Sequence, residues 1–338
     1  MEVSIEAKTL RFRRPLETSY ATLTERPLLE VRLQAGEDLV GIGEAAPLPP
    51  YDGISIEDAR AALETCRPLL VDGDSSEREE LLDACWLEAG LAQAVAAIDL
   101  ALWDLEGKRA GRPVAALLAE RPAAHIEVHA TIGATDRAAA SAAAAEAVTS
   151  GFRCLKVKVG VGDDPGRLAA VRAAAGPEAA LRVDANGAWD VEEALANLSA
   201  LAPAGIDLAE EPVHGVQSLR AVRERSPVQI AMDETAGEPG AIESGAADAV
   251  CLKLSRSGGI SGLLAAARAA RAAGSDVYLS STFDGPIGIA GALHAAAALA
   301  PLPPCGLATL GLFEGSEDPF PVAEGAIAVP AGAGLGVH

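Results

Sequence analysis

The chain has 338 residues, half of them hydrophobic and 22% charged, with a formal net charge of -21. A chain of this length can bury a large core in one or two domains. So negative a protein is a poor partner for nucleic acid or an anionic membrane, its 3% of aromatics leaves little for base stacking, and no apolar run reaches the ~20 residues that span a bilayer.

The first residues, Met1-Glu2-Val3-Ser4-Ile5-Glu6, open on acids and alternation rather than on a basic region and an apolar core. No export signal is therefore expected, and the cytoplasm is the expected location. Strands are predicted over Val3 to Arg14, Leu28 to Ala35 and Leu39 to Ala45, with Ala35-Gly36-Glu37-Asp38 as a hairpin turn. After a loop rich in Pro and Gly, Pro47 to Gly53, helical periodicity runs over Ile56 to Leu69, Ser76 to Glu88 and Leu91 to Arg109. Strands first and helices after make an α+β unit.

From His125 the rhythm becomes strand–helix alternation. Strands are expected over Ile126–Thr131, Cys154–Val159, Leu181–Asp184, Ile206–Glu210, Val228–Asp233, Ala249–Leu254, Val277–Ser281 and Gly306–Leu310. Ala-rich helical runs lie between them, among them Arg137–Thr149, Arg167–Ala175, Val191–Leu201, Gly262–Ala273 and Gly288–Leu299. Eight strands at this spacing fit a closed α/β barrel better than a doubly wound sheet. Neither a GxGxxG after a strand nor a Walker A loop is present, and Gly160-Val161-Gly162 lacks the rest of a phosphate-binding fingerprint. The five cysteines are scattered, odd in number and without a CxxC pair, which disfavours disulfides, structural zinc and a thiol nucleophile.

The chemistry lies at the strand ends, where barrel active sites are built. Lys156 and Lys158 point to one face of their strand, and two ammonium groups side by side need strong negative charge nearby. Asp184, Glu210 and Asp233 close the next three strands, so they are neighbours on the rim. Converging carboxylates repel one another unless a cation sits between them, and an oxygen-only ligand set selects a hard ion, Mg²⁺ with Mn²⁺ as the alternative. Lys253, inside the apolar run Ala249–Leu254, stands opposite Lys158 across an eight-stranded barrel. A lysine on each side of a metal is a layout for removing the proton next to a carboxylate, so the expected partner is a small-molecule carboxylate substrate.

In this order the motifs resemble the enolase superfamily and, within it, the muconate-lactonizing-enzyme subgroup. The matching segments are Lys156-Val157-Lys158, Val183-Asp184-Ala185-Asn186-Gly187, Glu210-Glu211-Pro212, Asp233-Glu234-Thr235, Leu252 to Arg256 and Gly258-Gly259-Ile260, with Gly41 to Pro47 in the N-terminal unit. The resemblance implies an α/β fold, a (β/α)7β TIM-like barrel with an N-terminal α+β capping domain. Its expected bounds are 1–123 for the cap, 124–311 for the barrel and 312–338 for a C-terminal segment returning to the cap. It further implies one Mg²⁺ on Asp184, Glu210 and Asp233, Lys158 and Lys253 as the acid/base pair, and Lys156 on the substrate carboxylate. Asn186, Ser280, Ser281, Tyr20, Tyr51 and Asp284 are the expected substrate contacts.

Within the subgroup, dipeptide epimerases usually carry an Asp-x-Asp where this chain reads Gly306-Leu307-Ala308-Thr309-Leu310-Gly311, and muconate cycloisomerases commonly carry a glutamate near the position of Asp284. The Ser280-Ser281 strand end and Cys305 to Thr309 look most like o-succinylbenzoate synthase of menaquinone synthesis. On that reading Lys158 takes the α-proton to give an enediolate, then returns a proton to the departing hydroxyl in a syn dehydration, while Lys253 stabilises by charge. The alternatives are a dipeptide epimerase, an N-acylamino-acid racemase or a muconate cycloisomerase-like enzyme, and in another class a non-catalytic barrel scaffold. The polar set argues against the last, because buried charges without a task are costly. The sequence is silent on oligomeric state, and a homo-oligomer is compatible with it.

Overall fold

The computed structural model describes residues 1–338 except 19–20, 37, 74–76, 134–135, 316–317 and 338. Three antiparallel strands, β1 (Glu2–Glu17), β2 (Thr22–Ala35) and β3 (Leu39–Ala45), form the N-terminal sheet in the order β1-β2-β3. Four helices follow, α1 (Pro49–Asp52), α2 (Ile56–Asp72), α3 (Arg78–Ala89) and α4 (Ala92–Ala110), and then the short α5 (Val114–Leu118). Helix α2 starts at a reciprocal cap: the Ser55 hydroxyl accepts from Asp58 N–H while the Asp58 carboxylate accepts from Ser55 N–H. Helix α4 ends at Gly111 in the left-handed conformation. Every side chain of α4 from Gln93 to Leu105 is buried, as expected of a helix that is apolar nearly all round. It packs on β3 so closely that a Cβ at Gly43 would collide with the carbonyl of Ala97.

The barrel alternates strand and helix. Strand β4 (His125–Glu127) precedes β5 (Ala130–Ile132), α6 (Arg137–Thr149), β6 (Cys154–Lys158), α7 (Asp164–Ala175), β7 (Ala180–Asp184), α8 (Val191–Leu201) and β8 (Leu208–Glu210). Then come α9 (Val216–Arg223), β9 (Gln229–Met232), β10 (Ala249–Leu252), α10 (Gly259–Ala272), β11 (Asp276–Leu279) and α11 (Pro286–Leu299). Strands β12 (Val322–Ala323) and β13 (Ala326–Ala328) complete the chain. Seven strands run side by side in the order β11-β10-β9-β8-β7-β6-β5, with parallel pairing throughout. Single parallel bridges, Val128 to Cys305 and Ser280 to Gly306, link the two ends of the sheet. The α/β barrel with its antiparallel cap is thus the fold.

Two strands differ from expectation. The eighth is reduced to those bridges, because past Gly306 the chain turns on itself, the Thr309, Leu312 and Phe313 N–H groups donating to the Leu307, Thr309 and Leu310 carbonyls instead of to a neighbouring strand. The first is split: β4 turns away to pair antiparallel with β13, and only β5 joins the barrel. Between β9 and β10 stand two short 3₁₀ turns, Glu234–Gly237 and Ile242–Ser244, where Gly237, Pro239 and Gly240 interrupt any helix.

Each barrel strand has two characters, because successive side chains face opposite ways. Leu155, Val157, Leu181, Val183, Ala209, Ile230 and Met232 share one apolar core with residues of the outer helices. Lys156, Arg182, Asp184, Glu210, Asp233 and Lys253 point the other way and are also buried. A well-packed apolar core would be at least as stable as such an ionic interior. The interior is therefore built for chemistry.

Candidate active site

Register brings the charges together. Lys158 pairs with Asp184 across β6 and β7, and Asp184 with Glu210 across β7 and β8. The Lys156 ammonium lies 2.9 Å from both Asp184 Oδ2 and Glu210 Oε1. Lys158 reaches the same Asp184 oxygen at 2.7 Å and Asn186 Oδ1 at 2.7 Å. Across the barrel, Lys253 donates to Asp233 Oδ1, and its ammonium lies 5.0 Å from the centre of the Tyr51 ring. Burial alone would raise the Asp184 carboxyl, but Lys156 and Lys158 hold it well below the usual carboxylate range. Burial would likewise lower the two inner lysines; Asp184 and Glu210 carry Lys156 well above its ordinary value, and Asp233 does the same for Lys253. Glu210 moves up, chiefly by burial.

All of these groups but Glu210 border a cavity of about 310 Å³ at the C-terminal mouth of the barrel. The cap contributes Leu16, Thr18 and Tyr51, and the barrel contributes Lys156, Lys158, Asp184, Asn186, Asp233, Glu234 and Lys253. The opposite arc, from β11 through the closing segment to β5, supplies Ser280, Ser281, Gly306, Ala308, His129 and Thr131. Phe12, on the cap hairpin, fixes this lid by packing on Phe313 (ring centres 4.6 Å apart) and edge-on against Phe283 (5.7 Å).

Most expected site residues meet here. The Asn186 amide bridges Lys158 and Glu234 Oε1, and its φ of 47° is a strained conformation of the kind found at functional sites. The Tyr51 hydroxyl donates to Asp233 at 3.1 Å and accepts from Arg256 at 2.8 Å. Ser281 shares a hydrogen bond with Thr309. Tyr20 falls outside the described residues. Asp284 is a correction: it is 1% exposed, does not border the cavity, and accepts from the N–H and hydroxyl of Thr282. The reason is the cap–barrel seam, where fully buried Arg26 donates to the Thr282 carbonyl; there burial raises the Asp284 carboxyl, and Arg26 only partly offsets the rise.

Several supporting residues were not singled out from the sequence. Tyr278 donates its hydroxyl to Glu210 Oε2 at 2.7 Å, beneath the cavity, with the Arg182 guanidinium 4.7 Å from its ring centre. The buried Glu211 carboxylate accepts from the N–H groups of Asp233 (2.7 Å) and Thr235 (3.0 Å), and so fixes the end of β9. Alternation along Val277–Ser281 does put Tyr278 on the same face as Ser280, but an aromatic in an apolar strand reads as core.

The metal expectation can be tested on the donors. Atoms of Glu210, Asp233 and Cys251 lie within 4.8 Å of one another, and Asp184 is held beside Glu210 through Lys156. Burial raises the Cys251 thiol well above its ordinary value, which makes it a poor ligand for a hard ion. Glu234 Oε2 is buried with no hydrogen-bond partner among the described residues, a further oxygen donor at the rim. The buried carboxylate oxygens of Asp184, Glu210 and Asp233, with Glu234 Oε2 beside them, are a donor set that fits Mg²⁺.

Comparison with known proteins gives the lineage. Residues 138–338 match the family model described as enolase C-terminal domain-like, and residues 1–119 match the N-terminal domain of mandelate racemase / muconate lactonizing enzyme. The chain belongs to the enolase superfamily. It is 32% identical to a chloromuconate cycloisomerase of a Pseudomonas species, over 96% of this chain and 92% of that one. Among solved structures, the N-succinyl Arg/Lys racemase of Bacillus cereus superposes with a TM-score of 0.93 at 26% identity, covering 99% of this chain and 94% of that one. A dipeptide epimerase of Enterococcus faecalis, solved with Mg and a dipeptide, gives 0.89 at 27% identity, covering 99% and 98%. This superfamily member is accordingly an enzyme, similar to isomerases that act on small molecules. None of its helices, among the described residues, is long and apolar enough to cross a membrane.

Proposed function

We propose that the protein is a Mg²⁺-dependent isomerase that moves the α-proton of a small carboxylate, with an N-acyl-α-amino acid as the substrate class. The observation that carries this reading is the opposition of Lys158, ending β6, and Lys253, following β10, with three strands between them around the barrel. A base on each face is what inversion at a carbon requires: one lysine removes the proton and the other returns one from the far side. The relatives named above are a cycloisomerase, a racemase and an epimerase. They support isomerisation over the dehydration expected of an o-succinylbenzoate synthase.

Asp184, Glu210 and Asp233 would hold the ion. When bound, it supplies positive charge for the substrate carboxylate as that group takes up the electrons of the broken C–H bond. Lys156 orients a carboxylate oxygen, Lys158 and Lys253 exchange protons with the α-carbon, and Asn186 keeps Lys158 aimed. Tyr51 and the cap hairpin exclude water. The remaining arc offers no charged side chain among the described residues. This disfavours the ammonium of a dipeptide and the second carboxylate of a muconate, although identity to the cycloisomerase makes cycloisomerisation the second reading.

The test is α-proton exchange in deuterated buffer with Mg²⁺ and a panel of N-acetylamino acids. The wild type should incorporate deuterium and racemise. Lys253→Ala should still exchange the enantiomer that faces Lys158, without inverting it. Faster dehydration of the cyclohexadiene precursor of o-succinylbenzoate than racemisation of any panel member would return the protein to the lyases.

A further inference from the structure

His129 has no part in that account, yet it borders the cavity. Its backbone is fixed at the barrel seam, where its N–H donates to the Cys305 carbonyl at 3.0 Å. The side chain is 3% exposed, and neither ring nitrogen has a hydrogen-bond partner among the described residues. Buried polar groups are nearly always partnered, so an orphaned ring facing a binding cavity points to a partner that arrives with the ligand. Burial first, then Lys156 and Arg182, hold the imidazole well below its ordinary pKa. It is therefore neutral, with one N–H to give and one lone pair.

The surroundings select what it meets. Lys156, Arg182 and Lys158 place positive charge about the ring, opposed by Asp184, so an electron-rich acceptor is favoured and an ammonium is repelled. A full anion would want a cation of its own. Lys156, beside Asp184 and Glu210, is committed to the substrate carboxylate, and Arg182 donates to the Pro304 carbonyl. On the facing strand end, Gly306 lets the Ser280 hydroxyl and His129 Nε2 converge: a Cβ there would run into Ser280 Oγ and lie 2.9 Å from Nε2. Among the described residues, the Ser280 hydroxyl is itself held only by a 3.5 Å contact to the Gly306 carbonyl.

We propose that His129, with Ser280, is the specificity residue that receives the carbonyl oxygen of the substrate's acyl group. This rests on the α-proton-transfer reading of the site and adds the group by which the substrate is chosen. An N-acyl oxygen is a neutral acceptor on the α-substituent, and that substituent must point away from the ion toward the neutral arc. The imidazole donates its N–H to the oxygen, and no proton is transferred.

The experiment compares N-acetyl-leucine with N-thioacetyl-leucine, which has the same charge and N–H but a poor acceptor in place of oxygen. Mg²⁺-loaded wild type, His129→Leu, His129→Gln and Gly306→Ala are assayed for α-proton exchange, and dissociation constants are taken by calorimetry. One neutral hydrogen bond should give the wild type a preference for oxygen of about 2–10-fold. The preference should appear mainly in KM and the dissociation constant. His129→Leu should lose it, His129→Gln should keep part of it, and Gly306→Ala, which fills the space, should lose it as well. If His129→Leu does not fold, the other two variants decide. An unchanged preference in well-folded variants, or equal weakening of both compounds, overturns the role of His129 and leaves the proton-transfer reading intact. No exchange of either compound by the wild type overturns both.

Discussion

Replacing Tyr278 by Phe removes one oxygen atom from a fully buried site and nothing else. That oxygen gives Glu210 Oε2 its hydrogen bond at 2.7 Å, while Lys156 holds Oε1 at 2.9 Å. A hydrogen bond to a charged group contributes ~1.5–3 kcal/mol. In a chain of this size that corresponds to a melting temperature lower by about 2–4 °C, from the usual unfolding entropy per residue. The consequence for metal is larger, because Glu210 would keep only one of its two anchors. At ~1.4 kcal/mol per factor of ten, the same energy weakens Mg²⁺ binding by roughly 10–100-fold, the usual size of a lost partner behind a metal ligand. Calorimetric titration of wild type and Tyr278→Phe with Mg²⁺ measures the affinity, and a thermal melt measures the stability. Unchanged or tighter Mg²⁺ binding in a folded variant would refute the reasoning, since the phenol would then compete with the ion rather than orient its ligand.

Glu44 gives a pH prediction. It is buried at the cap–barrel seam, accepts from Gly285 N–H at 2.7 Å, and is pushed up to about 8 by burial and then by Asp284. A carboxyl raised in the folded state is protonated there while its unfolded counterpart ionises, so its contribution is present below about pH 4.5 and lost as pH rises toward 8. Glu44→Gln keeps the acceptor and removes the titration. The melting temperature of the variant should therefore gain on the wild type across that window, and parallel melting curves against pH would contradict it. For the metal itself, chelation with EDTA should abolish α-proton exchange and Mg²⁺ should restore it; full exchange in chelator would remove the carboxylates' assigned task.

The charged set was legible because each member breaks an apolar run. Lys156, Lys158, Asp184, Glu210, Asp233 and Lys253 stand out against Val, Leu and Ile, and even spacing placed them on consecutive strands. Asp284 follows its strand in the same style, and local pattern alone could not separate it from the others. What captured it is the seam at Arg26, 258 positions away in sequence (284 − 26), and periodicity carries no information at that range. His129 stayed hidden for a related reason. Ile126–Thr131 reads as one strand, whereas pairing of Ile126 with Ile327 pulls its first half out of the barrel and leaves His129 at the break. Helix bounds fared better at the capping residues Asp136 and Asp190, though not at Asp163, whose helix begins at Asp164 rather than at the expected Arg167.

The mouth of the barrel is divided into two arcs. Strands β6 to β10 and the residue after β10 carry every lysine and carboxylate proposed above to move the proton or hold the ion, locked to one another by ion pairs. The arc from β11 through the closing segment to β5, with the cap hairpin above it, carries neutral side chains among the described residues. Mutations can therefore accumulate in the second arc without disturbing the first. A lineage built this way can change its diet while keeping its reaction: drift at positions such as Ser280, Gly306 and Ala308 would reshape what is accepted, and the acid–base set would pass through unaltered. Such a partition marks the neutral arc as the place where directed evolution of this protein should begin.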